Sequence, residues 1–218
     1  MRAKGIEVIT ASVPALGSIE ERAAKLGEDI AAKANGKSVN IIAHSMGGLD
    51  ARYMISKLHL CNVEVVSLTT IATPHRGSAF ADFCFQVIGP GHLPSIYKVF
   101  DRLGISAGAF SQLTRKYMQE DFNPNTPDVP GVRYFSYGAT LDPRLFSVFR
   151  RSHRIVQREE GANDGLVSVS SSKWGTYKGT LVDVSHLDLI NWTNRLRWWF
   201  WSAGGYKRKY VLREWCSA

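Results

Sequence analysis

The feature that most constrains this chain is a serine at the corner between a short apolar run and a helical pattern. Val39 to Ala43 is a near-continuous apolar run, as expected of a strand buried on both faces of a sheet. A helix is predicted directly afterwards, from about Gly48 to Leu58. Ser45 therefore lies in a sharp strand-to-helix turn.

Small residues surround that serine. Ala43 lies two positions before Ser45, Gly47 two positions after it, and Gly48 follows. A tight turn of this kind requires small residues there, so the stretch matches an A-x-S-x-G version of the nucleophile elbow, with His44 inside it. The alternative is an ordinary serine N-cap followed by glycines, but an N-cap does not need small residues on both sides.

A serine hydroxyl becomes a nucleophile only when a base takes its proton and donors stabilise the resulting oxyanion. The amide of Met46 is the natural donor, because it follows the serine at a helix N-terminus. The base is expected after the last strand and the acid before the base. His186 is the only one of six histidines that follows the last predicted strand.

The acid is expected in a loop before His186. Asp164, in EGANDGLVSVSSS, fits this place, although Asn-Asp-Gly is also a common turn. Asp183 is the competitor, but it lies inside the last strand and three residues before His186, where it is poorly placed to reach the imidazole from the other side. Ser45, Asp164 and His186 are therefore the predicted triad.

Strand and helix patterns alternate along the chain. This alternation predicts an α/β fold with a mostly parallel sheet and helices on both faces. With 218 residues, the chain suits a single domain, 1–218. The segment from Phe80 to about Val129 is too long for a plain connection, so it is predicted to be a helical insertion. The further predicted elements are strands Ile6–Ala11, Val63–Ile71, Val132–Tyr137 and Thr180–Val184, a helix from Ile19 to about Ala34 that begins with the Ser18/Glu21 capping box, and a helix over Ser185–Trp201.

Composition limits the partners and the compartment. The net charge of +8 favours anionic partners, but no nucleic-acid motif accompanies it, and scattered basic residues also describe an ordinary solvated surface. We find no transmembrane-length apolar run and no signal-peptide pattern at the start. Cys61, Cys84 and Cys216 form no CxxC pair and no disulfide framework, so the compartment stays open, with a reducing, intracellular one slightly favoured.

Four stretches together resemble the α/β-hydrolase lipases, especially the bacterial triacylglycerol lipases and their fungal relatives. They are AHSMGGLDARY, IATPHRGS, NDGLVS and HLDLIN. The resemblance implies Ser45, Asp164 and His186 as the triad, hydrolysis of lipid esters without an organic cofactor, and a cap or lid at about 80–129. The alternative for that insertion is an elaborated surface.

The resemblance also implies a structural calcium ion. In some bacterial members, one aspartate in an L-D-P turn and one two residues after the catalytic histidine bind calcium. Asp142, in TLDPRL, and Asp188 hold the matching positions here. Oxygen ligands suit calcium. However, Asp-Pro is a common turn start, and Asp188 is also placed to cap the last helix.

The chain departs from the family pattern before Gly5, where no strand ending in an H-G loop supplies a second oxyanion amide. In the family's strand order, the missing strand lies between Ile6–Ala11 and Val39–Ala43. A gap there would leave unpaired backbone groups, each costing about 1–3 kcal/mol. We therefore expect an N-terminally incomplete chain, a truncated gene product or a rearranged sheet, and a loss of about 10²–10³ in rate from the missing donor.

The C-terminal stretch NRLRWWFWSAGGYKRKY mixes four large rings, at 198–201, with basic residues. It fits either an interfacial membrane anchor or a final helix that packs its rings on the sheet. Two alternatives to hydrolysis also stay open. A lipid acyltransferase would share the acyl-enzyme, and a non-catalytic hydrolase-like module would bind lipid or protein without using the serine.

Overall fold

The structure is a computed structural model that describes residues 5–15, 17–58, 60, 62–88, 110–142 and 149–190. In these residues the centre is a parallel sheet of four strands in the order β1-β2-β3-β4. The strands are β1 (Val39–His44), β2 (Val65–Ile71), β3 (Arg133–Thr140) and β4 (Thr176–Val182). Helices connect the strands, so the predicted α/β class with a parallel sheet is confirmed.

In the described residues one helix precedes β1, and the other helices lie between the strands in sequence. They are α1 (Ile19–Ala34), α2 (Met46–Tyr53), α3 (Ala79–Ile88), α4 (Arg115–Tyr117), α5 (Asn123–Asn125), α6 (Arg150–Glu160) and α7 (Val169–Ser172). Helix α2 continues into a π-helical turn, Met54–Leu58, a second π-helical turn covers Met118–Phe122, and a 3₁₀ turn covers Asp188–Ile190. No helix in the described ranges combines the length and the apolar character needed to pass through a bilayer.

Helix α1 has the predicted bounds and the predicted cap. The Ser18 hydroxyl accepts a hydrogen bond from the Glu21 amide, and the Glu21 carboxylate accepts one from the Ser18 amide. The apolar face of α1 is buried through Ile19, Ala23 and Ile30, and it packs against α2. The capping box thus fixes the start of α1. Helix α1 in turn packs against α2, which is the helix that follows Ser45 and is called the elbow helix below.

The predicted strand Ile6–Ala11 is wrong. Residues 6–14 have no regular secondary structure, although Ile9 packs against the core cluster that includes Ala23 and Ile30 of α1. Polar groups of this segment pair with α1: the Ser12 amide donates to Asp29, and the Thr10 carbonyl accepts from Lys33. A strand needs a neighbouring strand as hydrogen-bond partner, and this segment bonds to helix side chains instead.

The expectation that β1 is buried on both faces is also wrong. Strand β1 lies at one end of the described sheet, pairs only with β2 there, and leaves Ile42 49% exposed. Because Ile6–Ala11 is not a strand of this sheet, the predicted gap in the middle of the sheet is absent from the described residues. The apolar run reflects burial of one face, through Ile41 and Ala43, against the helices.

Helix α6 is the element that sequence patterning missed, and β4 begins four residues before its predicted start. The predicted helix over Ser185–Trp201 falls partly on the 3₁₀ turn at Asp188, and its residues 191–201 lie outside the described residues.

The parallel sheet brings the carboxyl ends of its strands together at one edge. Ser45 directly follows β1, and His186 follows β4 by four residues, so both lie at the carboxyl edge where open α/β sheets bind ligands.

Candidate active site

Ser45 has a backbone conformation that non-glycine residues rarely adopt. Its φ is 55° and its ψ is −134°, between the last residue of β1 and the first residue of α2. Hydrogen bonds on both sides hold this conformation: the Ser45 amide donates to the Ile71 carbonyl, and the Thr73 hydroxyl donates to the Ser45 carbonyl at 2.7 Å. Strain of this kind persists only where the surroundings enforce it.

The two glycines after the serine have different surroundings. A Cβ at Gly48 would lie 2.2 Å from Oγ1 of Thr73 and 2.9 Å from Cγ2 of Thr70, whereas a Cβ at Gly47 would meet no atom within 4 Å. The turn therefore requires a glycine at 48 for close packing on β2. The expectation that Gly47 must be small because of crowding is not supported by the described contacts.

Ser45, His186 and Asp164 form one hydrogen-bonded chain. The Ser45 hydroxyl lies 2.8 Å from Nε2 of His186, and Nδ1 of His186 lies 2.7 Å from Oδ2 of Asp164. Asp164 is fully buried and His186 is nearly so. The structure thus brings together the three side chains that the sequence argument selected, although 141 positions separate Ser45 from His186.

The Asp164 carboxylate is held in place by its own loop. Its Oδ1 accepts hydrogen bonds from the amides of Leu166 and Val167, which leaves Oδ2 for His186. The Asp164 carbonyl also accepts a hydrogen bond from the His186 amide. Because an ionised carboxylate only accepts, Nδ1 of His186 carries the hydrogen, and Nε2 presents a lone pair to the Ser45 hydroxyl. This arrangement suits a general base.

Asp183, the competing acid, is exposed and lies in the left-handed region with φ 59°. It is not the carboxylate that bonds to His186. The choice between the two aspartates therefore follows the loop geometry that the sequence argument used.

His44 makes a contact that sequence reasoning did not foresee. Its ring lies against the His186 ring, with centroids 4.6 Å apart and planes tilted by 46°. The Nε2 atom of His44 is buried and has no hydrogen-bond partner in the described part of the chain. Burial, and then the nearby His186, lower the pKa of His44 to about 3, so its ring is neutral beside the base.

Met46 is the first residue of α2, and its side chain is 3% exposed. The first amides of a helix lack acceptors within the helix, and the macrodipole places partial positive charge there. The Met46 amide therefore belongs to a group of donors suited to an oxyanion beside Ser45.

A buried arginine, Arg52, lies almost two turns after Met46 in α2. Arg52 is 2% exposed, and its guanidinium donates to Oδ1 of Asn123 and to the Thr126 carbonyl. The same group stacks 3.6 Å from the centre of the Trp174 ring. Burial lowers the pKa of Arg52 to about 10. The contacts with Asn123 and Thr126 hold α2 against the segment that leads into β3. The contact with Trp174 holds α2 against the loop before β4.

His75 completes that cluster from the loop after β2. Its Nδ1 lies 3.3 Å from Arg52, and its Nε2 lies 2.9 Å from Oγ1 of Thr70. Because a guanidinium only donates, Nδ1 accepts, and Nε2 carries the hydrogen. Burial, followed by the charges of Arg52 and Arg76, lowers the pKa of His75 well below its usual value. Sequence patterns gave no signal for this cluster, because buried charged groups follow no periodicity.

The two predicted calcium ligands do not form a complete site in the described residues. Asp142 is exposed, and Oδ2 of Asp188 accepts hydrogen bonds from the Ser185 amide and hydroxyl, at 3.1 and 2.6 Å. In the described ranges, no three or more side chains of the types His, Cys, Asp and Glu are arranged so that they could hold a metal ion. Asp188 thus bonds to Ser185 at the start of the 3₁₀ turn, and the rest of the helix that the alternative expected it to cap lies outside the described residues.

Comparison with known proteins supplies a family. Residues 9–95 match the sequence family described as "Putative serine esterase (DUF676)". The chain is 45% identical to "Triacylglycerol lipase 2" of Saccharomyces cerevisiae over 210 residues, which cover 90% of this chain and 61% of the yeast protein. It is 30% identical to a "Triacylglycerol lipase" of Vibrio cholerae over 225 residues, covering 86% of this chain and 70% of the relative.

Solved structures agree on the fold. The crystal structure of Staphylococcus hyicus lipase superposes with a TM-score of 0.65 at 20% identity, covering 87% of this chain and 79% of that one. At that identity the likeness establishes the α/β-hydrolase fold alone. The sequence relatives add the family. The chain therefore belongs to the triacylglycerol lipase family of α/β-hydrolases.

Proposed function

We propose that this chain is a serine hydrolase that cleaves ester bonds of lipids through an acyl-enzyme. The observation that carries the proposal is the hydrogen-bonded chain of Ser45, His186 and Asp164. Since the chain spans 61% of its yeast relative, the substrate and activity of the whole protein belong to this proposal. Membership of the triacylglycerol lipase family supports acylglycerols as the substrate class.

In the first step, His186 takes the Ser45 proton at Nε2 while Oγ bonds to the ester carbonyl carbon. The carbonyl oxygen becomes an oxyanion, which the Met46 amide stabilises. His186 then returns the proton to the leaving alkoxide, and the C–O bond breaks. Asp164 keeps the imidazole oriented and stabilises its cation. Water repeats the sequence on the acyl-enzyme and releases the acid.

The insertion at about 80–129 is proposed to be a cap over the site within a single domain. Helix α3, at the start of this insertion, is apolar and leaves Phe83 and Phe85 partly exposed, at 37% and 43%. Helix α3 packs on the core cluster around Met46 through Ala81 and Cys84, and exposed rings on such a helix suit contact with acyl chains. Contact of the C-terminal aromatic stretch with a membrane stays a prediction, since it lies outside the described residues.

The chemistry proposed here needs no cofactor. A structural calcium ion is the finer prediction, with Asp142 and Asp188 as its carboxylates. In the described residues Oδ2 of Asp188 already accepts hydrogen bonds from Ser185, which a calcium ion would have to share or displace. Thermal unfolding with calcium and with a chelator tests it. An unchanged midpoint would remove calcium from the account.

Labelling with a fluorophosphonate probe tests the central proposal, with Ser45→Ala as the matched control. We expect intact-mass spectrometry to find one adduct on the native chain and none on the variant. No adduct on well-folded native protein would overturn the proposal and favour the non-catalytic module. Adding a long-chain alcohol to an ester assay separates the remaining alternative, because an acyltransferase would form a new ester in preference to free acid.

A further inference from the structure

The outer face of helix α6 carries three arginines. Arg151, Arg154 and Arg158 are exposed and follow each other at spacings of three and four residues, which places them on one side of the helix. Ser152 and Val156 are buried on the opposite side. We call the three arginines the basic face.

The charge of the basic face is not neutralised within the described residues, where no carboxylate lies within ion-pair distance of these three arginines. The two acids of the same helix are directed elsewhere. Glu160 accepts hydrogen bonds from the Ala79 amide and the Ser168 hydroxyl, and Glu159 faces Arg115 at 3.9 Å. The lysines of α1 differ, since Lys25 and Lys33 both pair with Asp29.

Helix α6 also borders the candidate active site. Phe149, just before α6, packs with Leu166 and Val167 of the Asp164 loop, and Leu187 packs against the same cluster. The Asn163 side chain, next to Asp164, donates to the His153 carbonyl of α6. Helix α3, with its partly exposed rings, packs on α6. The buried side of α6 therefore supports the acid and histidine loops, while the basic face looks outward.

We propose that the basic face binds the anionic headgroups of a phospholipid surface and so places the site against lipid. A guanidinium pairs with phosphate and carboxylate groups through two parallel hydrogen bonds. Each arginine near an anionic membrane strengthens binding about fivefold, so three give about 100-fold. The exposed rings of α3, the helix that packs on α6, favour lipid over nucleic acid, because nucleic-acid-binding proteins typically contact more phosphates than three arginines can neutralise. The proposal extends the proposed function by naming the surface on which that site works.

Vesicle sedimentation tests this, in a Ser45→Ala background so that the lipid stays intact. The vesicles are phosphatidylcholine alone, or phosphatidylcholine with phosphatidylserine. The test variant is Arg151→Glu, Arg154→Glu and Arg158→Glu together. The matched control reverses the same charge at three exposed positions elsewhere: Lys57→Glu, Lys116→Glu and Arg133→Glu.

We expect the test variant to weaken binding to anionic vesicles by at least about 30-fold and the control by no more than about threefold, with added salt weakening the parent protein. Equal losses in both variants would overturn the proposal, because any positive charge would then serve. Tighter binding of an RNA oligonucleotide, lost in the test variant, would overturn it in favour of nucleic acid. Fluorophosphonate labelling of the same reversal in the Ser45 chain is expected to be unchanged, so the two proposals fail separately.

Discussion

Two buried histidines lie beside helix α2, and each bonds to a charged side chain. The charges of these two side chains are opposite. His186 lies between the Asp164 carboxylate and the Ser45 hydroxyl. His75 lies between the Arg52 guanidinium and the Thr70 hydroxyl. A carboxylate stabilises an imidazolium at the first histidine, whereas burial and then the guanidinium keep the second histidine neutral. Both side chains are buried, so it is the charge of the partner that separates the chemical role from the structural one.

The largest effect is expected on the His186 side. Asp164→Asn keeps the shape of the side chain but removes its negative charge, and it no longer favours hydrogen on Nδ1 of His186. The rate of fluorophosphonate labelling is therefore expected to fall by about 10³–10⁴. Stopped-time labelling with mass spectrometry measures it. Near-ultraviolet circular dichroism checks that the variant is folded. An unchanged rate in a folded variant would break the comparison.

On the His75 side, stability is expected to respond instead of rate. Arg52→Met leaves the Asn123 and Thr126 oxygens and Nδ1 of His75 without their donor, which costs about 3 kcal/mol of unfolding free energy. Urea unfolding measures this loss. The exposed Arg133→Met is the control and is expected to change stability by less than about 0.5 kcal/mol. A labelling rate reduced more than about tenfold in folded Arg52→Met would mean that this cluster serves the chemistry directly.

Both sides depend on the close contact between α2 and β2, which the two glycines test. Gly48→Ala drives a methyl group into Thr73 and is expected to cost about 2–3 kcal/mol. Gly47→Ala meets no such atom and is expected to change stability by less than about 1 kcal/mol. Thermal unfolding of the pair measures the difference, and equal midpoints would show that the contact at Gly48 yields easily.

The smallest effect concerns His44, which touches His186 yet has no carboxylate partner. Its pKa is about 3 in the folded chain and about 6.5 when unfolded, so the unfolded state takes up the proton first as pH falls. The native chain is expected to lose about 2 kcal/mol of stability between pH 7 and pH 5 through this group. His44→Phe removes that contribution, and urea unfolding of both proteins at the two pH values measures it. His75 is present in both proteins, so its contribution cancels. A constant difference between the two proteins would show that His44 ionises freely.

The residues that sequence reasoning located best are those tied to chain order. Ser45, Asp164 and His186 were selected because an elbow requires an acid and then a histidine later in the chain, and the structure places them within hydrogen-bond distance. The capping box at Ser18 was equally readable, because both partners lie within one helical turn.

Other features could not be read because they depend on contacts distant in sequence. Ile6–Ala11 has strand-like residues but bonds to α1, and no local pattern records that choice. Helix α6 has few apolar residues, with Val156 as its main buried hydrophobe, so its periodicity is faint. The pairing of Arg52 with Trp174 joins segments more than a hundred residues apart, and only the folded chain brings them together.

The positive φ of Ser45 has an evolutionary consequence. Glycine adopts such an angle at little cost, so a chain that did not need the hydroxyl would be more stable with glycine at this position. Retention of a serine at this strained position in related genomes would therefore indicate selection for the hydroxyl. Sequence comparison alone can test this, without purified protein or an assay.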